Sequence, residues 1–212
     1  MKLPKISNHW DKFYKDNRIK KNSPFANFTL KKIVKFNNIL DIGCGDGRDA
    51  FFFKDYFKQV SAIDKSLVVI KKNNENKKKN KIKNINFLKT NIAESRFLHK
   101  KKYENLYARF FIHAINYKEQ LFFLKNLKKI SNLNSLIFLE FRTTKDPTFK
   151  YGKKISKYER IYGHYRRFID VNEFKDILKS QKFKIIYFKS GYNFSIFRNQ
   201  KPHLARFIIR NI

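Results

Sequence analysis

At 212 residues, 42% of them hydrophobic and 17% aromatic, the chain has the material for one α/β domain with a buried core, and a disordered chain is excluded. Its formal charge of +32, from 49 Lys and Arg against 17 Asp and Glu, would attract polyanions. However, Lys, Asn, Ile and Phe together fill 108 positions, a bias of the kind that A/T-rich codons produce, so charge alone identifies no partner. The single cysteine, Cys44, excludes an internal disulfide or a thiolate metal cluster and suits a reducing compartment. Met1 to Trp10 lacks the apolar run of a secretory signal, and no 18 consecutive apolar residues occur, so the expectation is a cytoplasmic protein without a membrane span or a metal.

Residues 1–35 mix aromatics with Lys and Asn. Trp10, Phe13 and Tyr14 are spaced to share one helix face, which predicts a helical cover segment. Asn38 to Ile42 reads as a short strand, followed at once by Gly43, Gly45 and Gly47 and then by a helix over Arg48 to Phe57. A second strand, Val60 to Ile63, ends at Asp64, and Ser66 can cap a helix whose apolar half is Leu67 to Ile70. Lys71 to Lys83 reads as the solvated end of that helix and a loop.

Further strands are expected at Ile85 to Leu88, Leu106 to Phe111 and Ser135 to Phe141, with a helix at Lys118 to Ile130. After an irregular stretch from Arg142 to Arg167 come a capped helix, Asp170 to Ser180, and strands at Lys184 to Phe188 and Leu204 to Ile209. The last two strands are joined without a helix. The tally is seven strands, and the order predicts an α/β fold: a mostly parallel sheet, helices on both faces, and an antiparallel last strand. With no linker or repeat in sight, residues 1–212 are expected to form a single domain.

The most specific signal is Asp41-Ile42-Gly43-Cys44-Gly45-Asp46-Gly47-Arg48-Asp49 between a strand and a helix. Alternate glycines let the backbone turn tightly and approach a ligand, while the helix behind presents free N–H groups. The dinucleotide fingerprint needs a glycine where Arg48 stands, and no triphosphate-binding loop is present.

This D-x-G-x-G-x-G pattern, with an acid closing the second strand, resembles the class I S-adenosylmethionine-dependent methyltransferase family, small-molecule and carbohydrate type. The resemblance covers about residue 38 to 212 and implies a Rossmann-like fold with S-adenosylmethionine as cofactor and S-adenosylhomocysteine as product. By position, Gly43, Cys44, Gly45 and Gly47 would pack against the cofactor, Asp41 would hold its amino acid end, and Asp64, followed by Lys65, would bind the ribose hydroxyls. A carboxylate suits that last task because it can accept both hydrogen bonds of a vicinal diol. Asn91 and Ile92 after the third strand would meet the adenine, and Arg109 completes the cofactor set.

Methyltransferases acting on exocyclic base amines resemble one another in an [DNS]-P-P-[YFW] motif after the fourth strand. Here Tyr107-Ala108-Arg109-Phe110-Phe111-Ile112-His113 stands instead, which disfavours base N-methylation. His113 and His164 are candidate bases, since an unperturbed imidazole titrates near neutral pH. Arg142, Tyr165 and Arg166, with His164, are candidate acceptor-binding residues within an insertion at 142–168, because arginine forks suit phosphate or carboxylate. The expected function is methyl transfer to an oxygen or nitrogen of a small polar acceptor, such as a sugar or sugar phosphate of a surface glycan. The alternatives are an RNA methyltransferase and a non-catalytic cofactor-binding module.

Overall fold

In the computed structural model, which describes residues 21–97, 100–195 and 200–212, the chain divides into two units, one up to Asn91 and one from Ile92. The expected aromatic face at Trp10, Phe13 and Tyr14 lies outside the described residues.

The first unit contains α1 (Pro24–Leu30), β1 (Asn38–Ile42), α2 (Arg48–Phe53), β2 (Gln59–Asp64), α3 (Leu67–Lys79) and β3 (Ile85–Lys89). Its strands run parallel in the order β3-β2-β1, with Asp41 opposite Ala62 and Asp64 opposite Lys89. β1 and β2 are buried along almost their whole length, as strands covered on both faces must be. Ser66 accepts from the Val69 N–H and starts α3 as expected. The lysines of that helix crowd its last turn, where cations oppose the carbonyl end of the dipole. Helix α2 ends at Phe53, four residues before the periodicity suggested.

The second unit contains β4 (Tyr103–Arg109), a 3-10 turn (Ile112–Ala114), α4 (Tyr117–Ile130), β5 (Ser131–Arg142), a second 3-10 turn (Pro147–Lys150), β6 (Lys153–Lys154), β7 (Glu159–Tyr162), β8 (His164–Arg167), α5 (Val171–Ser180), β9 (Phe183–Gly191) and β10 (Leu204–Asn211). Here the order is β4-β5-β10-β9. β4 runs parallel to β5, and β10 is antiparallel to both of its neighbours. With the three strands of the first unit this makes the seven-stranded, mostly parallel sheet with helices around it, its last strand antiparallel, that the sequence led us to expect. Asn116 and Glu119 form a reciprocal capping box on α4, and Asp170 caps α5. The core of this unit is aromatic: Phe207 of β10 packs against Phe141, Phe174 and Phe188 with ring centroids 4.7–5.7 Å apart.

One expectation needs correction. The stretch from Arg142 to Arg167, read as irregular, contains a three-stranded antiparallel sheet, β6-β7-β8, in which Arg160 faces Arg166 and Tyr162 faces His164. Among the described residues no helix is long and apolar enough to cross a membrane.

Candidate functional site

The residues of interest gather in one place in each unit. In the first, the chain leaves β1 through three glycines with positive φ, Gly43 (70°), Gly45 (52°) and Gly47 (76°), the left-handed region that side chains avoid. Space enforces the choice at Gly47: a Cβ there would sit 3.0 Å from the Phe51 ring and 3.1 Å from the Asn73 amide. The loop is braced from several sides. Gly43 and Cys44 donate to the Ile63 carbonyl, Gly47 donates to Cys44 O, and Asn73 Nδ2 donates to Gly45 O at 2.8 Å. Asn73, in the Lys- and Asn-rich part of α3, carried no sequence signal for this role.

Asp64 closes β2 and faces back toward the loop. Its Oδ2 accepts from Gly45 N at 3.1 Å and its Oδ1 from Ser66 N at 2.9 Å, so the carboxylate plane is fixed by two backbone donors. Asp41 is 3% exposed, and its Oδ2 has no hydrogen-bond partner among the described residues. Burial raises the Asp41 carboxyl well above the ordinary range; the nearby Asp49, Asp64 and Asp46 push the same way and only Arg48 opposes.

Burial likewise lifts the Cys44 thiol, followed by the charges of Asp64, Asp41 and Asp46, so this cysteine is an apolar loop residue and not a nucleophile. Asp49, in the first turn of α2, accepts from both N–H and hydroxyl of Ser23 at 2.7 Å and ties α1 to the loop. Lys65 is exposed and Asn91 half-buried.

The residues of the first unit thus fit the amino acid and ribose ends of a cofactor such as S-adenosylmethionine. Asp41 offers an unpartnered acceptor for an ammonium group, the glycines allow close approach, and Asp64 presents an oriented carboxylate for a diol.

In the second unit, Ile92 is buried, and its carbonyl and that of Glu94 accept from Asn126 Nδ2 at 2.8 and 2.9 Å. A network then runs along the carboxyl edge of β4 and β5. Glu140, fully buried, accepts from Arg109 Nε at 2.9 Å and Arg206 Nε at 2.7 Å. Arg109 donates further to Ser195 Oγ and lies over the Phe110 ring. Arg142 is buried and donates to both oxygens of Asp146 and to Gln200 Oε1. Tyr165 is buried with its hydroxyl on Glu159, which together with burial raises its pKa. Arg206 and Gln200 were not foreseen, since the sequence around them gives no hint of their partners.

His113, one of the two expected bases, is buried and bonded. Its Nδ1 accepts the backbone N–H of Arg142 at 3.2 Å, so the neutral ring carries its proton on Nε2 and has no lone pair to take another. Burial depresses its pKa well below 6.5, and Arg166, Arg142, His164 and Arg109 add to the effect. In this geometry His113 is a neutral ring whose Nε2–H is the group left to donate. Half-buried His164 receives Arg166 Nη2 at 2.9 Å on its Nε2, an arginine having only donors to offer, so that nitrogen too is engaged.

Comparisons with known proteins identify the fold and the family. The chain resembles a crystallised S-adenosylmethionine-dependent methyltransferase from Clostridium acetobutylicum, at 12% identity and TM-score 0.71 over 97% of each chain. It also resembles a SAM-dependent methyltransferase from Methanosarcina mazei, at 15% identity and TM-score 0.74 over 87% of this chain and 97% of that one. A cyclase shares the fold as well, at 10% identity and TM-score 0.69 over 92% and 84%, so the fold by itself does not dictate the chemistry. No curated protein matches in sequence. The methyltransferase domain family matches residues 33–145, more than half of the chain and inclusive of the glycine loop, Asp41, Asp64 and His113. The chain belongs to that methyltransferase family, with S-adenosylmethionine as the cofactor this membership implies.

Proposed function

We propose that this protein transfers a methyl group from S-adenosylmethionine to an oxygen or nitrogen of a small polar acceptor, a sugar or sugar phosphate of a surface glycan being the class that suits it best. Asp41 would hold the cofactor's ammonium, Gly43, Cys44, Gly45 and Gly47 its methionine part, Asp64 with Lys65 its ribose, and Asn91 and Ile92 its adenine. When bound, the cofactor supplies a methyl group already activated by the sulfonium. The chain's own part is then to align the acceptor and exclude water.

The observation that supports the acceptor half is the surrounding of His113. Its Nε2–H, Arg142, His164 and Arg166 form a group of fixed donors, which suits oxygen-rich compounds. Arg109, engaged with Glu140 and Ser195, is assigned to this group rather than to the cofactor. Neither histidine acts as a base while its bonded nitrogen stays engaged, so an acceptor hydroxyl would be positioned by His113 and give up its proton to solvent.

The test is calorimetric titration with S-adenosylmethionine and S-adenosylhomocysteine, followed by labelled methyl transfer to sugars, sugar phosphates and RNA in parallel. Binding of both cofactor forms with transfer to a sugar compound is expected. Incorporation into RNA alone would overturn the acceptor reading, and cofactor binding without transfer to anything would favour a non-catalytic module.

A further inference from the structure

Around His113 the charges do not balance. Arg109 and Arg206 share one carboxylate, Glu140. Arg142 has Asp146. Arg166 has no carboxylate within ion-pair reach among the described residues: its bonds go to His164 Nε2 and, at 3.5 Å, to Thr148 Oγ1, both neutral. Its Nε is enclosed without any partner. Arg142 Nη1 reaches the same Thr148 hydroxyl at 3.4 Å, so two guanidinium groups stand side by side with a single carboxylate for both. Among the described residues Arg142 and Arg166 thus have one carboxylate, Asp146, between them, a surplus of positive charge in a place where water can screen it only in part. Cations are seldom enclosed in this way unless something anionic joins them.

We infer that Arg166, with Arg142 and His164 beside it, is the anchor for a doubly negative oxyanion carried by the acceptor, a phosphate monoester in the first place. This rests on the functional reading above and narrows it: the acceptor is phosphorylated and not merely polar. A monoester is close to a dianion at neutral pH and presents three acceptor oxygens, enough to meet the surplus charge and bond to more than one donor. A bidentate guanidinium contact also sets orientation as well as affinity. Arg166 would decide which end of the acceptor enters, while the atom to be methylated lies elsewhere on the same molecule.

The probe is inorganic phosphate, followed by glucose 6-phosphate against glucose, with sodium formate at matched ionic strength to discount the general basic surface. Phosphate is expected to raise the melting temperature of the wild-type protein well beyond formate, and glucose 6-phosphate to bind where glucose does not. Arg166→Gln should lose at least tenfold in affinity for either phosphate compound, Arg166→Lys should retain part of it, and Lys78→Gln on the exposed face of α3 should change nothing. A purely structural arginine would behave differently, because its removal would lower the melting temperature without any ligand. Here Arg166→Gln should melt no lower than wild type, having lost a cation without a partner.

Equal effects of phosphate and formate on the wild type, or undiminished phosphate binding by Arg166→Gln, would overturn the inference. Binding of S-adenosylhomocysteine, measured on the same samples, keeps the two questions apart. Its loss in the wild-type protein would refute the methyltransferase reading, whereas its persistence alongside a negative phosphate result would refute the anchor alone.

Discussion

Replacing Asp41 by Asn separates the requirements of folding from those of the cofactor. The substitution keeps shape and removes charge from a side chain that is 3% exposed, has one oxygen without a partner, and is crowded by Asp49, Asp64 and Asp46. An unsatisfied buried polar group costs ~1–3 kcal/mol. Since the amide leaves a polar atom in place, the relief is confined to the charge, and ~1–2 kcal/mol is a fair figure. For a chain of this length that corresponds to a melting temperature raised by about 2–8 °C.

The sign with pH follows from the raised carboxyl. The protonated form suits the fold, so the penalty is absent below the ordinary value of 3.8, grows as pH rises from there, and is complete above the raised value. The variant's advantage should therefore vanish in acid and grow as pH rises above 3.8. Against the cofactor the effect reverses. A hydrogen bond between charged groups contributes ~1.5–3 kcal/mol, so S-adenosylhomocysteine should bind about 10- to 100-fold more weakly to Asp41→Asn. Thermal melts at several pH values and calorimetric titration decide the matter. A variant less stable than wild type at pH 7, or one with unchanged affinity, would refute the assignment of Asp41 to the cofactor's ammonium.

Two further perturbations probe the second unit. Glu140→Gln leaves Arg109 and Arg206 enclosed without their shared carboxylate, and breaking a buried pair from one side costs ~3–5 kcal/mol; urea denaturation should show a loss of that size, and a loss under about 1 kcal/mol would mean that the arginines re-pair. His113, held neutral by burial, takes up its proton only on unfolding, so stability should fall as pH drops below 6.5 by up to about 1.4 kcal/mol per pH unit. In His113→Asn, whose side-chain oxygen can still accept the Arg142 N–H, that slope should flatten, as read from denaturation between pH 7.5 and 5. An unaltered slope would place the titrating group elsewhere.

Strand, turn and cofactor loop were legible because local rules govern them. β1 falls on the very residues, Asn38–Ile42, that its apolar run marked out, and the caps Ser66 and Asp170 start their helices as expected. Two kinds of feature were not legible. The small sheet β6-β7-β8 is built from short, charged strands such as His164–Arg167, in which no alternation of apolar and polar residues announces a strand. The roles of His113 and Glu140 depend on which atom meets which across 29 and 66 residues of sequence, and a single sequence does not encode such pairings locally. Asn73 and Asn126 belong here too, since each reads as a surface amide until its carbonyl partners are seen.

The position of β10 bears on how the protein is made. It lies between β5 and β9, pairing Leu204 with both Arg142 and Gly191, and carries buried residues along nearly its whole length. A nascent chain that has emerged only as far as β9 thus has two sheet edges waiting for the same missing strand. Until residues 204–211 arrive, the apolar faces of β5 and β9 have nothing between them, and such edges invite pairing with other chains. Synthesis of these eight residues closes the most distant contacts of the unit in one step. A chain that has emerged only to residue 203 would therefore be ready to aggregate, whereas one that has emerged only to residue 91 presents just the smaller parallel sheet and its glycine loop.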